Sequence, residues 1–109
     1  MDINAESLSR RFACALAVRF WPKSELAAPR LTGTVRNVSR GGIAFSSHRL
    51  YPRGTLLAIV IRSAEGDRAA ALVGAVVHAT PRTEGGWLIG CKLTRELDVR
   101  ELASVIACG

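Results

Sequence analysis

The residues best suited to chemistry in this sequence form a short polar segment over residues 37–42, Asn-Val-Ser-Arg-Gly-Gly. Asn37 offers an acceptor and donors, the hydroxyl of Ser39 does both, and the two glycines leave backbone amides unshielded by any side chain. Such groups suit the edge of a heterocycle that has a phosphate close by. Apolar β-type runs flank the segment, which predicts a sharp corner between two strands, with glycine chosen for close approach or for a positive φ.

The same pattern has an ordinary structural interpretation. Asn and Ser ahead of a glycine pair also make turns through hydrogen bonds from their side chains to the backbone. Two arginines upstream of the corner, Arg10 and Arg11, add a feature that a simple turn does not need. In the sequence as a whole, the preference for arginine over lysine favours planar, bidentate recognition of phosphate or of a guanine edge.

Residues for catalysis or metal binding are sparse. His48 and His78 have no cysteine or carboxylate at the spacing of a metal site or a catalytic triad, and no phosphate-binding loop motif occurs. The three cysteines, Cys14, Cys91 and Cys108, are widely spaced and fit neither a disulfide framework nor a zinc site. We therefore predict a binding module that is not an enzyme, with Cys14 and Cys91 as small buried residues and Cys108 exposed.

The net charge is strongly positive. Fifteen basic residues, thirteen of them arginine, oppose nine acids and give a formal charge of +6. No acid lies between Glu25 and Glu65, whereas six arginines do: Arg30, Arg36, Arg40, Arg49, Arg53 and Arg62. This central block predicts a positive field that attracts anions, or else simply a soluble, arginine-rich surface.

The elements that must position these residues are short strands. Apolar residues alternate strictly from Phe12 to Phe20 and again from Trp87 to Leu93, which places Leu16, Val18 and Ile89 in the core with Phe12 and Leu93, and Arg19 outside. Glycine and proline turns separate six predicted strands, at 12–20, 30–38, 42–47, 55–62, 69–79 and 87–93.

A short helix is predicted at the C-terminus. Asp98 and Glu101 have the spacing of a capping box, and apolar residues follow at intervals of three and four, namely Val99, Leu102, Ala103 and Ile106. Regularly spaced short strands favour closure, because a barrel has no exposed strand edges. The predicted fold is therefore all-β, a six-stranded antiparallel β-barrel with a short C-terminal α-helix.

The chain is predicted to form one domain. Its 109 residues divide into a flexible N-terminal arm, residues 1–11, which carries part of the ligand motif, and a barrel with its terminal helix, residues 12–109. The apolar runs at 56–61 and 69–79 are too short to cross a membrane, and the first residues do not have the pattern of a signal peptide. We expect a cytoplasmic protein without a membrane partner.

Taken together, these motifs resemble the PilZ domain, a small bacterial β-barrel that binds cyclic di-GMP. That family carries Asp/Asn-x-Ser-x-x-Gly at the corner between its second and third strands, and Asn37, Ser39 and Gly42 fill this pattern. Residues 87–93, Trp-Leu-Ile-Gly-Cys-Lys-Leu, are similar to the last strand of the family. The resemblance covers residues 10–106, nearly the whole chain.

The other family motif, Arg-x-x-x-Arg, is only half present. Its second arginine directly precedes the first strand and so matches Arg11, which places Ser7 where the first arginine would be. A register starting at Arg10 would instead put Cys14, on the apolar phase, at the second position. Arg10 lies on the flexible arm and could substitute for the arginine missing at Ser7.

The resemblance implies a non-enzymatic cyclic di-GMP receptor with a protein partner and no other cofactor or metal. It implies that Arg10 and Arg11 contact phosphate and guanine, that Asn37 and Ser39 contact a guanine edge, and that Gly42 forms the corner. The alternative is a degenerate PilZ domain that has lost nucleotide binding and acts as a protein-interaction adaptor. A nucleic-acid-binding barrel is disfavoured, because only Trp21 and Tyr51 are expected to expose aromatic rings for stacking.

Overall fold

The computed structural model describes residues 11–13, 15–62 and 68–108. These form seven strands followed by one helix. The strands are β1 (Phe12–Ala13), β2 (Ala17–Pro22), β3 (Leu31–Val38), β4 (Gly42–Ser47), β5 (Leu56–Arg62), β6 (Arg68–Pro81) and β7 (Trp87–Leu93), and the helix is α1 (Val99–Cys108). None of the described residues belongs to a helix long and apolar enough to span a bilayer.

Six of the strands close into an antiparallel barrel. Following the hydrogen bonds, β2 pairs with β5, β5 with β6, β6 with β7, β7 with β4, β4 with β3, and β3 again with β2. The short β1 adds to β3 beside β2. The predicted six-stranded barrel with a C-terminal helix is thus confirmed.

The first predicted strand is divided into β1 and β2. Both parts pair with β3, but Ala13 is opposite Asn37 whereas Ala17 is opposite Thr34, so the N-terminal strand carries one extra residue between these pairs. An extra residue on one strand is a β-bulge, which bends the strand and increases its twist. Beyond the break, Phe12 on β1 is opposite Val38, the last residue of β3 before the corner.

The alternating pattern places the core as predicted. Val18 is buried and Arg19 is exposed, and Leu16, Ile89 and Leu93 are also buried. Phe12 packs against the core but is only half-buried, because it lies on the short β1 at the margin of the barrel. Cys91 is buried as expected, and burial raises the pKa of its thiol to about 12. Cys14 and the side chain of Cys108 lie outside the described residues.

Tyr51 was expected to be exposed, and this expectation is wrong. The residue is 3% exposed. Its ring packs edge-on against Phe20 with the ring centroids 6.2 Å apart, and the guanidinium of Arg49 lies 5.2 Å from the ring centroid on the solvent side. The ring of Tyr51, after the turn that follows β4, is therefore part of the core. This burial raises the pKa of its phenol.

The capping box forms as predicted, but the apolar stripe of α1 differs. The backbone N–H of Glu101 donates to Asp98 Oδ1 over 2.7 Å, and the N–H of Asp98 donates to Glu101 Oε1 over 3.1 Å. Val99 is 48% exposed, whereas Leu102 and Val105 are buried. Leu97, which precedes the helix, is also buried in the core. Leu97 and Leu102 occupy the two positions of a hydrophobic staple, which turns Val99 outward. The side chain of Ile106 lies outside the described residues.

Candidate ligand-binding corner

The corner between β3 and β4 is held by backbone hydrogen bonds. Within it, the N–H of Ser39 donates to the carbonyl of Gly42 over 2.9 Å. From the other side, the N–H of Leu93 donates to the Gly41 carbonyl over 2.9 Å, and the N–H of Leu97 donates to the Arg40 carbonyl over 2.7 Å. The corner therefore rests on the end of β7 and on the segment that leads into α1.

Arg40, in the middle of the motif, has a structural role. Its Nε lies 3.1 Å from Glu96 Oε2 and donates to the carbonyl of Leu97 over 3.2 Å. These contacts direct the guanidinium toward the segment before α1. Because both contacts tie the corner to that segment, Arg40 positions the corner through its Nε.

The structure brings two of the predicted site residues into direct contact. Arg11 Nη1 donates to Asn37 Oδ1 over 2.6 Å, although the residues are 26 positions apart in sequence. The pairing of β1 with β3 explains the contact, since Ala13 is directly opposite Asn37 and Arg11 lies just before β1. With Oδ1 engaged by Arg11, the amide of Asn37 keeps its Nδ2 donors for a ligand.

Ser39 and Gly42 lie beside this pair. Ser39 is 9% exposed, and its hydroxyl is 3.5 Å from the Gly42 carbonyl. A Cβ atom added to Gly42 would lie 3.6 Å from Ser39 Oγ and 3.9 Å from Arg11 Nη2. Arg11, Asn37, Ser39 and Gly42 therefore converge, and the absent side chain of Gly42 leaves bare backbone between the hydroxyl and the guanidinium. Ser7 and Arg10 lie outside the described residues.

Space is a reason for glycine at position 42 but not at position 41. Neither Gly41 nor Gly42 has a positive φ, so of the two predicted reasons for glycine, close approach and a positive φ, the second does not apply. The Cβ position of Gly42 is also 3.3 Å from the Cys91 carbonyl on β7, whereas that of Gly41 has no atom within 4 Å. The two neighbouring glycines thus differ sharply in their surroundings.

We expect Gly42→Val to remove ligand binding at the corner. The added side chain would fill the space between Ser39 and Arg11, and contact with the Cys91 carbonyl would cost about 1–2 kcal/mol of folding stability. Gly41→Val is the matched control, expected to keep both binding and stability. Calorimetric titration with cyclic di-GMP and chemical denaturation measure the two effects. Equal ligand affinity in the two variants would show that the corner is only a turn.

The central arginines are spread around the fold. The guanidinium of Arg30 lies 4.2 Å from the ring centroid of Trp21 and donates to the carbonyls of Leu26 and Ala28. Arg49 covers Tyr51, whereas Arg36 and Arg53 are exposed. Several arginines of the block thus already have partners within the fold.

The histidines show no catalytic arrangement. The ring of His78 covers Gly90, its partner on β7, where any Cβ atom would overlap with the ring. His48 is exposed after β4. Among the described residues, no group of three His, Cys, Asp or Glu side chains is arranged to hold a metal ion.

The fold and the corner define a small β-barrel domain with a polar site on its rim, and comparisons with known proteins identify the family. The family model described as "PilZ domain" matches residues 9–108. The match covers nearly the whole sequence, so the chain belongs to the PilZ domain family. No protein with curated annotation matches the sequence.

Two solved structures share the fold. The inhibitor of motility MotI/DgrA from Bacillus subtilis is 16% identical, with a TM-score of 0.67 over 90% of this chain and 47% of that chain. The PilZ domain of CeSA, from a cellulose-synthesizing bacterium, is 18% identical, with a TM-score of 0.62 over 92% of this chain and 95% of that chain. This chain thus spans about half the length of the MotI chain.

Proposed function

We propose that this protein is a cytoplasmic receptor for cyclic di-GMP that acts by binding alone. The observation that carries the proposal is the convergence of Arg11, Asn37, Ser39 and Gly42 at one corner of the barrel. These positions come from distant parts of the sequence and match the two ligand motifs of the PilZ family. The membership of the chain in that family supports the same ligand.

The chemistry of the four residues suits a cyclic dinucleotide. In the proposed complex, the guanidinium of Arg11 pairs with a phosphate or stacks on a guanine, as its planar fork permits. Asn37 and Ser39 bind a guanine edge through an amide and a hydroxyl. The bare backbone at Gly42 lets the ligand approach closely, and Arg10, on the arm, adds a second cation. No further cofactor or metal is required.

The position matched by Ser7 determines the expected affinity. A hydrogen bond to a charged group contributes roughly 1.5–3 kcal/mol, and about 1.4 kcal/mol corresponds to a tenfold change in affinity. Without the first arginine of the family motif, the site is expected to bind at least tenfold more weakly than a complete one. This departure favours one alternative function, a PilZ domain that acts as an adaptor for a protein partner without binding nucleotide.

Calorimetric titration of wild-type protein and of Ser7→Arg with cyclic di-GMP tests the proposal. We expect weak binding by the wild type and binding stronger by roughly ten- to a hundredfold in Ser7→Arg, because the restored cation completes the motif. Ser9→Arg is the matched control, since it adds the same charge two residues out of register. Ser9→Arg should increase the affinity for cyclic di-GMP less than Ser7→Arg does.

Two results would contradict the receptor proposal. Failure of both the wild type and Ser7→Arg to bind would leave the adaptor function as the conclusion. Equal gains from Ser7→Arg and Ser9→Arg would show that added charge alone attracts the dinucleotide, without the geometry of the motif. A titration with a single-stranded oligonucleotide under the same salt conditions separates specific binding from general attraction to nucleic acid.

A further inference from the structure

Two neighbouring strands of the barrel, β5 and β6, carry apolar residues on both faces. Their inward residues fill the core, yet six outward residues are also apolar: Leu56, Ala58, Val60, Ala71, Val73 and Ala75. An antiparallel strand with one face in water normally alternates apolar and polar residues, whereas strands covered on both faces are apolar throughout. The composition of β5 and β6 is therefore that of strands whose outer face is covered.

The strand register joins these residues into one surface with β2. Trp21 is opposite Ala58, which is opposite Val73, and in the next row Val60 is opposite Ala71. We call the surface formed by Trp21 and the six outward residues of β5 and β6 the outer apolar face. Leu56 is 44% exposed, and the other members are half-buried or exposed. The face is thus open on the outside of the barrel.

The outer apolar face contains a groove of about 260 Å³. Its lining combines Trp21 and Arg95 with smaller outward side chains, namely Ala58, Val60, Ala71 and Val73. Three strands spaced roughly 4.8 Å apart present a surface about 10 Å across, which matches the diameter of an α-helix with its side chains. The shape therefore suits one helix packed across the strands.

Basic residues lie along the β2 side of this groove, and Arg95 lines it. Arg19 is exposed beside Val60, Arg30 stacks on Trp21, and Lys23 is held beside Leu56 by its backbone N–H, which donates to the Leu56 carbonyl over 2.8 Å. Arg95 contributes a fourth cation, which Glu101 holds through both Nη atoms. The rim thus carries several positive charges beside an apolar centre.

We propose that the outer apolar face docks an amphipathic helix from a protein partner whose apolar stripe is flanked by aspartate or glutamate. The apolar stripe would cover Val60 and Val73, and the acids would meet Arg19 and Lys23, which gives charge complementarity. A second copy of this chain is disfavoured, because it would bring an equally basic rim against this one. The proposal concerns a surface other than the corner and does not depend on nucleotide binding.

Fluorescence anisotropy with a synthetic peptide tests this proposal. The probe is a labelled helical peptide of about 20 residues with leucine at intervals of three and four and glutamate on both flanks. We expect it to bind the full chain, and Val60→Glu to weaken binding at least about tenfold by placing a like charge in the apolar centre. Thr80→Glu, exposed on β6 beyond the face, is the matched control and should change affinity less than about twofold.

Further measurements test whether opposite charges are needed for binding and whether a second copy of this chain covers the face. Arg19→Glu should also weaken binding, and a peptide with lysine in place of glutamate should not bind. Equal binding of the two peptides, or unchanged binding by Val60→Glu, would overturn the proposal. So would a wild-type dimer in sedimentation that Val60→Glu dissociates, because the face would then belong to a second copy. A circular dichroism spectrum and an unfolding midpoint like those of the wild type would show that Val60→Glu is folded, so that its loss of peptide binding comes from the outer apolar face.

Discussion

Arg11→Ala is expected to weaken binding of cyclic di-GMP by roughly tenfold or more. Arg11 is the motif arginine among the described residues, and it supplies the guanidinium that contacts Asn37 and borders the space above Gly42. Its loss removes at least one charge-assisted hydrogen bond, which corresponds to a fall of roughly ten- to a hundredfold or more. The measurement is calorimetry in the Ser7→Arg background, where the starting affinity is expected to be highest.

Arg53→Ala is the control for this experiment. Arg53 is exposed in the turn before β5, so its removal changes the net charge equally without touching the corner. Folding stability should be nearly unchanged in Arg11→Ala, because the contact with Asn37 is exposed. If Arg11→Ala retains tight binding, other arginines hold the ligand and the assignment of Arg11 is wrong.

The largest effect on stability is expected at Gly33. A Cβ atom at this position would overlap with the backbone carbonyl of Ser46 on β4 and lie 3.3 Å from the ring of Phe20. Beside it, Ser46 Oγ accepts from the N–H of Thr34 over 2.9 Å, so the two strands approach each other very closely. Glycine within a strand marks such an approach of two backbones. Gly33→Ala should destabilise the fold by about 3 kcal/mol or more, because backbone must move.

Gly41→Ala is the matched substitution, measured by the same denaturant titration. Its Cβ atom meets nothing within 4 Å and its φ is not positive, so stability should change by less than about 1 kcal/mol in either direction. A similar loss of folding stability in Gly33→Ala and Gly41→Ala would mean that the backbone flexibility of glycine matters at both positions. The predicted overlap with Ser46 would then not be the cause.

The sequence predicted those features that depend on local patterns. A strict period of two assigns each residue of a strand to one side of the sheet, which is why Val18 and Ile89 are in the core and Arg19 is outside. The capping box at Asp98 is equally local, since both of its hydrogen bonds lie within four residues. Four of the proposed site residues were also identifiable, because each belongs to a short motif.

The features that the sequence did not predict depend on contacts between distant residues. Tyr51 follows a turn that looks exposed, but the end of the barrel provides an apolar pocket for its ring. The role of Gly33 depends on how closely β4 crosses it, which no pattern within β3 reveals. The contact between Arg11 and Asn37 likewise requires the pairing of β1 with β3. Each of these features follows from closure of the barrel.

The burial of Cys91 has a practical consequence for measuring motion near the corner. Burial raises the pKa of its thiol to about 12, so the ionised form, which is the reactive one, is scarce at pH 7. A soluble thiol reagent therefore reacts with Cys91 chiefly after the barrel around it has opened. Since the Cys91 carbonyl lies against Gly42 on β4, the modification rate of this thiol reports how often the support beneath the corner opens.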